Sequence, residues 1–273
     1  MQKIKDFIKN VSLKTVVDNA DPFVEDEAFF RSEVLRGFES LMLLMNKHKN
    51  KPALIMAHGP SLLDIKKEEY SSFLKITCND FQKLGHGPSK PFFDDKFKPD
   101  FWCGANSLEH LRPSTSICVA NNIPCFVTIP KKSEFEEYLN YFKDDKELIL
   151  PWFWEHQMFQ RMLARKYNVK SIYTRCNTVT NHMIALALWF GCSPIHVAGF
   201  DMSYVSAVEE TGMTHAGYND DKMVLTALDD PQERRQAIGD LRYMCKIAYK
   251  EGIEIHNLSF EKNKLPYNLS FRG

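Results

Sequence analysis

The sequence predicts an α/β fold: a mostly parallel sheet with helices on both faces, preceded by a helical extension at the N-terminus. Three observations point there. Short apolar runs of strand length recur from Ala53 onward, and stretches with helical spacing separate them. The first run, Ala53–Met56, stops at a tight glycine turn, His58-Gly59-Pro60-Ser61. Strand, glycine turn and helix in that order are the opening unit of a Rossmann-like sheet, although an ordinary βα turn carries the same pattern.

Residues 1–50 read as the extension. Ile4, Phe7, Ile8 and Val11 share one helical face, and Phe29, Phe30, Val34, Leu35, Phe38, Leu41, Met42 and Met45 share a second, with a break at Asp21-Pro22. These two helices either pack on the main domain or form a membrane-surface or oligomer contact; acidic residues dilute the basic face and favour packing. Residues 51–273 read as one nucleotide-binding domain. Its expected strands are Ala53–Met56, Lys75–Cys78, Phe101–Gly104, Cys125–Ile129, Lys170–Tyr173, Ile195–Ala198 and Glu254–Asn257. Its expected helices are Leu62–Phe73, Ser107–Leu111, Ser133–Tyr141, Glu155–Tyr167, Val179–Phe190 and Pro231–Glu251. Tyr204–Leu228 is polar, glycine-containing and without periodicity, as an active-site loop or lid would be.

Composition narrows the class. The chain has 273 residues, 44% of them hydrophobic, enough for a large core. Lys+Arg and Asp+Glu are each 35, and this balance argues against a nucleic-acid binder held by charge. Seven cysteines are scattered without a Cys-x-x-Cys pair, which reads as reduced cytosolic thiols. The opening residues lack a signal-peptide pattern, and no apolar run approaches the roughly 18 residues of a membrane span. The expectation is a cytoplasmic protein, with peripheral contact at the inner membrane and a homo-oligomer left open.

Candidate functional residues gather at the expected carboxyl ends of strands. Gly59 permits close approach of the backbone, with His58 and Ser61 beside it. Asn79 and Asp80 end the second strand, where an amide or carboxylate meets ribose hydroxyls or caps a turn. Asn106 and Ser107 follow the third and bind ligand or cap the next helix. Asn177, Thr178 and Thr180 open an apolar helix whose first N–H groups and dipole favour an anion. Gly199-Phe200-Asp201 ends the next strand with a bare backbone and a carboxylate. Beyond it, Thr214-His215-Ala216 sets a histidine in a polar loop, suited to proton transfer near neutral pH. His182 and His196 lie in apolar stretches and read as core or surface histidines, and Trp152-Phe153-Trp154 as core or a face for a sugar. Gly-x-Gly-x-x-Gly and Gly-x-Ser-x-Gly are both absent, against dinucleotide enzymes and serine-nucleophile hydrolases.

Taken together, Ala57-His-Gly-Pro-Ser-Leu62, Lys98-Pro-Asp-Phe101, Ala187-Leu-Trp-Phe-Gly-Cys-Ser-Pro-Ile-His-Val-Ala-Gly-Phe-Asp-Met-Ser-Tyr204 and Thr214-His-Ala216 resemble a known domain. It is that of the bacterial flagellin-modifying motility accessory factors, shared with archaeal pterin pyrophosphokinase-like proteins. More distantly, the chain is similar to bacterial lipooligosaccharide sialyltransferases, with their Gly-Asn-Gly-Pro-Ser-Leu turn, Thr-Ser-Gly helix start, Gly-Ile-Asp strand end and lid histidine. The resemblance spans roughly residues 52–260. It implies a CMP-activated nonulosonic acid as donor, a glycan or protein as acceptor and no metal. Gly59 and Ser61 would approach the phosphate, Asn79 and Asn106 the nucleotide or sugar, Thr178 and Thr180 the donor, and Gly199 and Asp201 the cytidine or its ribose. His215 would be the general base, and Tyr204 and Tyr218 would stabilise the leaving CMP phosphate. The chain departs from the sialyltransferases at His58, at Thr178-Val179-Thr180 and at the shifted Tyr204. The alternative implied by the pterin relatives is a pyrophosphokinase using Mg²⁺ and ATP, for which Asp201, Asp220 and Asp221 would supply carboxylates. A third reading is a nucleotide-binding scaffold without turnover.

Overall fold

A computed structural model describes residues 36–37, 39–85, 90–105, 108–128, 132–152, 163–164, 166–168, 178–202 and 231–269. Seven strands, β1 (Ala53–Met56), β2 (Leu74–Cys78), β3 (Phe101–Gly104), β4 (Cys125–Thr128), β5 (Ile149–Trp152), β6 (Ile195–Ala198) and β7 (Ile255–Asn257), form one sheet in the order β5-β4-β3-β2-β1-β6-β7. Every pairing is parallel. After β1 the chain builds outward through β2 to β5, then returns to place β6 on the other flank of β1. The direction of growth therefore reverses between β1 and β6, and the crevice outside their carboxyl ends is where sheets of this kind leave room for a ligand.

Strand residues alternate between two cores. Ala53, Ile55, Ile76, Phe101, Ile195, Val197 and Ile255 face helices α3 (Val179–Phe190) and α4 (Pro231–Lys250). Leu54, Met56, Trp102, Val127 and Ile149 face Leu111 and Cys118 of α1 (Leu108–Ala120) and Tyr138 and Leu139 of α2 (Lys132–Tyr141). Helices on both faces explain why the inner strands read as continuous apolar runs. Helix α3 is buried along nearly its whole length, from Thr180 to Phe190. Thr178 caps its start by accepting from the Asn181 amide, and Gly191 ends it in the left-handed conformation, φ 79°.

The last carbonyls of a helix lack partners within it. Here the segment before β1 supplies them. The amides of Asn46, His48 and Asn50 donate to the carbonyls of Trp189, Phe190 and Gly191 at 3.1, 3.0 and 2.9 Å. The Lys166 ammonium donates to Leu188 and Trp189, both at 2.7 Å, placing a cation at the negative end of the helix dipole. Burial pulls its pKa down to about 7. In return the Trp189 indole donates to the Leu41 carbonyl at 2.6 Å, and Leu41 is part of the core. Residues 41–50, at the end of the N-terminal extension, are thus bonded to the central helix; of the rest of that extension only 36–37 and 39–40 are described.

Among the described residues the elements match expectation with three differences. The expected helix Leu62–Phe73 is two 3₁₀ turns, Pro60–Asp64 and Lys67–Tyr70, separated by extended backbone at Ile65 and Lys66. Leu62, Leu63, Ile65, Tyr70 and Phe73 would share one face of a helix, which is why the sequence reads as helical, but the extended backbone at Ile65 and Lys66 divides the segment. Helix α1 runs past Leu111 and through Pro113, an exposed position in its second turn, where the helix forgoes one backbone donor. Strand β5 was not anticipated: Pro151 argues against a strand, yet β5 lies at the sheet edge, where a missing donor costs no ladder bond. Trp152 ends β5, while 153 and 154 lie outside the described residues, as does the expected strand at 170–173. The N-terminal helix pair also lies outside them, apart from helical backbone at 36–37 and 39–44.

Among the described residues no helix is long and apolar enough to cross a membrane. Six described cysteines are buried free thiols, and burial pushes Cys103 and Cys118 well above the usual thiol range, so they are unreactive. His182 is buried at 2% exposure, and desolvation holds it well below its ordinary pKa. His196, paired across β6 and β7 with His256 at 3.3 Å, is lowered to about 4, first by burial and then by the His256 charge, with Glu254 opposing.

A histidine depressed in the folded state binds fewer protons there than in the unfolded chain. Its stabilising contribution is therefore full above pH 6.5 and lost as pH falls toward about 4. Replacing His196 with Phe should flatten part of this acid-side slope in urea unfolding midpoints between pH 7 and 4. An unchanged slope would contradict the assignment.

Candidate functional site

The crevice between β1 and β6 is built by two strand ends that nearly touch. The Gly59 amide donates to the Gly199 carbonyl at 2.8 Å, and the Ala57 amide to Ala198 at 2.9 Å, continuing the β1–β6 ladder beyond the strands. A Cβ on Gly199 would lie 2.3 Å from the Ala57 carbonyl oxygen, and the residue has φ 68°, so both space and backbone demand glycine. A Cβ on Gly59 would lie 2.5 Å from Oδ2 of Asp201 and 2.6 Å from the Gly199 carbonyl. The open flank of Gly59 is therefore taken up by the carboxylate of Asp201.

Asp201 fastens the first turn. Its Oδ2 accepts from the Ser61 amide at 2.9 Å, and its Oδ1 accepts from the Ser61 hydroxyl. The N-terminus of the 3₁₀ turn at Pro60 thus holds an internal anion. Burial raises the Asp201 pKa above the ordinary aspartate value, opposed by the two Ser61 bonds, then by Ser259 and by the Lys262 charge. Ser61 is 8% exposed and His58, at the end of β1, is also 8% exposed.

A third strand end completes the brace, and the sequence reading missed it. The Ser259 hydroxyl accepts from the Phe200 amide at 3.0 Å and lies 2.8 Å from the Ser61 hydroxyl. The Asn263 amide group donates to the Phe200 carbonyl at 2.6 Å and to Asn257 Oδ1 at 3.1 Å. Asn257, Ser259 and Asn263 are all nearly or fully buried. The available signal was Asn257-Leu258-Ser259: a short strand ending in small polar residues, the pattern already used for Gly199-Phe200-Asp201.

The other predicted residues divide by place. Asn79, φ 37°, follows β2; its Oδ1 accepts from the Ala105 amide at 2.9 Å, tying the ends of β2 and β3. Its carbonyl accepts from the Trp102 indole and the Ser114 hydroxyl at 2.9 and 2.7 Å. Asp80 pairs with Lys83 at 2.9 Å. Helix α3 leads into parallel strand β6, so its start, with Thr178 and the buried Thr180, belongs to the same carboxyl edge. The structure thus joins His58, Gly59, Ser61, Gly199 and Asp201 in one cluster and places Asn79, Thr178 and Thr180 on the same edge. Asn106, Asn177, Tyr204, His215 and Tyr218 lie outside the described residues.

No family model and no curated protein matches the chain. Solved structures do. The sialyltransferase CstII from Campylobacter jejuni in complex with cytidine-5'-monophosphate is 17% identical, with 78% of this chain and 82% of that chain covered and a TM-score of 0.47. The same enzyme with CMP-3FNeuAc is 16% identical, with 82% and 88% covered and a TM-score of 0.43. An α-2,3-sialyltransferase from Campylobacter jejuni in apo form is 15% identical, with 84% and 86% covered and a TM-score of 0.45.

Gly199→Ala combines left-handed strain with a backbone clash and should cost about 3 kcal/mol of stability in urea unfolding. A loss within about 0.5 kcal/mol, as for an ordinary surface site, would contradict the packing described.

Proposed function

We propose that this chain is an inverting, metal-independent glycosyltransferase whose donor is a CMP-activated nonulosonic acid, sialic acid or a relative. The observation that carries the reading is the carboxylate of Asp201, backed by two glycines at the β1–β6 divide and on the same sheet edge as the start of α3. A carboxylate has about four acceptor positions. The two Ser61 bonds leave others for a vicinal diol such as that of ribose. The nucleotide class comes from the resemblance of the strand-end motifs to the accessory-factor and sialyltransferase domains.

Charge decides how the donor lies. Because Ser61 is engaged by Asp201, a phosphate on the first turn would face a negative charge. The start of α3, with Thr178 and Thr180, is the better place for the donor's anionic groups, where free N–H donors and the positive dipole end attract them. Gly59 and Ser61 then act through Asp201, which takes the ribose, while Asn79 borders the nucleotide from β2. Asn106 and Asn177 are assigned to the sugar side.

Chemistry falls to the segment after Asp201. His215 accepts the proton of the acceptor hydroxyl as that oxygen attacks the anomeric carbon and the bond to the CMP phosphate breaks, inverting the centre without a covalent intermediate. Tyr204 and Tyr218 donate hydrogen bonds to the departing phosphate, supplying the charge stabilisation that a cation would otherwise give. The acceptor is a surface glycan or a protein.

Calorimetry with CMP, CDP, UDP, GDP, ATP and NAD, each with and without Mg²⁺, tests the reading. Preferential CMP binding that survives chelation is expected, and His215→Ala should keep CMP binding while losing transfer by about 100-fold or more. Binding of ATP only in the presence of Mg²⁺, with no response to CMP, would instead support the pyrophosphokinase.

A further inference from the structure

When the carboxylate is ionised, Ser61 and Ser259 both act as donors that favour its charged form. Asp201 has no proton to give, so the Ser61 hydroxyl donates to Oδ1 and its single proton is committed. The 2.8 Å bond between the Ser61 and Ser259 hydroxyls must then be donated by Ser259. Ser259 in turn accepts the Phe200 amide at 3.0 Å. The result is a one-way chain: Phe200 N–H to Ser259, Ser259 to Ser61, Ser61 to Asp201. Each donor in such a chain is polarised by the one before it, which strengthens the last bond, the one onto the carboxylate.

The same segment fixes the backbone that carries Asp201. The regular β6–β7 pairing ends at Val197 and Asn257, with a last bond from the Leu258 amide to Val197 at 2.8 Å. Beyond it the chain turns through Gly199, φ 68°, and Met202, φ 60°. Between these turns, Phe200 has its amide held by Ser259 and its carbonyl by Asn263 at 2.6 Å, both side chains almost fully buried. Asn263 is itself locked by Asn257 and by the Leu265 amide at 2.9 Å. Side chains from the β7 end have replaced the ladder where the strand's backbone leaves it.

We propose that Ser259, supported by Asn263, is the positioning residue of this site: it orients the Ser61 hydroxyl and the Phe200 peptide so that Asp201 presents its remaining acceptor positions to a ligand diol. Its consequence for ligand binding rests on the nucleotide reading above; its effect on Asp201 does not. Ser259 is 2% exposed and acts through Asp201 rather than by touching ligand. The charged group that faces the carboxylate from the following helix, α5 (Phe260–Asn263), is Lys262, which favours ionisation and is retained in the variants below.

The test is the carboxyl titration of Asp201, followed by its ¹³Cγ resonance and assigned by its loss in Asp201→Asn. In Ser259→Ala the chain loses its middle donor and the ionised carboxylate loses support. Its midpoint should rise by about one pH unit, a tenfold change in proton binding, with the circular dichroism of the wild type. A midpoint unmoved in folded Ser259→Ala overturns the proposal. Should that variant not fold, Ser259→Cys keeps the volume with a much weaker donor; a raised midpoint supports the proposal and a wild-type midpoint overturns it. CMP titration of the same proteins separates the two claims. Where CMP binds, Ser259→Ala should weaken it about tenfold. A raised midpoint in a wild-type background that ignores CMP sinks the nucleotide reading and leaves the positioning role standing. CMP binding with an unmoved midpoint does the reverse.

Discussion

The ends of β1 and β6 approach so closely that neither Gly59 nor Gly199 has room for a side chain, and the carboxylate of Asp201 closes what space remains. This interlock organises the site. It lies where the sheet reverses its direction of growth, it fastens the first turn through Ser61, and it holds one carboxylate at a fixed place in the crevice. A buried carboxylate is costly without donors, and here two come from Ser61, with Ser259 behind it. The donors that make the charge tolerable also give it a direction. The site's electrostatics and its local stability are therefore one arrangement.

Away from the crevice the structure spends its polar groups on holding the central helix. Helix α3 is buried along nearly its whole length, so its unpaired carbonyls cannot rely on water. Residues 46–50 and Lys166 take them up at the far end, while Thr178 caps the near end. The near end is consequently fixed in place at the carboxyl edge of the sheet. That rigidity would serve the anion site proposed there, since donors aimed in advance lose little freedom on binding.

Much of this was legible in the sequence. Helix Val179–Phe190 and strands Ala53–Met56, Phe101–Gly104 and Ile195–Ala198 were read with the observed boundaries, because buried apolar runs bounded by glycine, proline and capping residues leave little ambiguity. The cluster of Gly59, Ser61, Gly199 and Asp201 was also found, since each lies directly after an apolar strand. What failed has physical reasons. Pro151 lies in an edge strand, where strand signals are weakest, and the helix expected to stop at Leu111 continues through Pro113. The cause of Gly59 was misplaced as well: room for a ligand and room for Asp201 have the same sequence signature, and only the fold distinguishes them. For Ser259 the strand end of small polar residues was visible, but its partners, about 60 and 200 positions away, were not.

The central claim is that the β1–β6 crevice receives a cytidine nucleotide with its ribose on Asp201. Mapping CMP-induced shifts of backbone amides in ¹⁵N-labelled protein tests it most directly. The account predicts that the largest changes fall on His58 to Ser61, Asn79, Thr180 to His182 and Gly199 to Met202, and that Asp201→Asn weakens them. Shifts gathered instead at the opposite edge of the sheet, around Asn46 to Asn50 and Gly191, would contradict it.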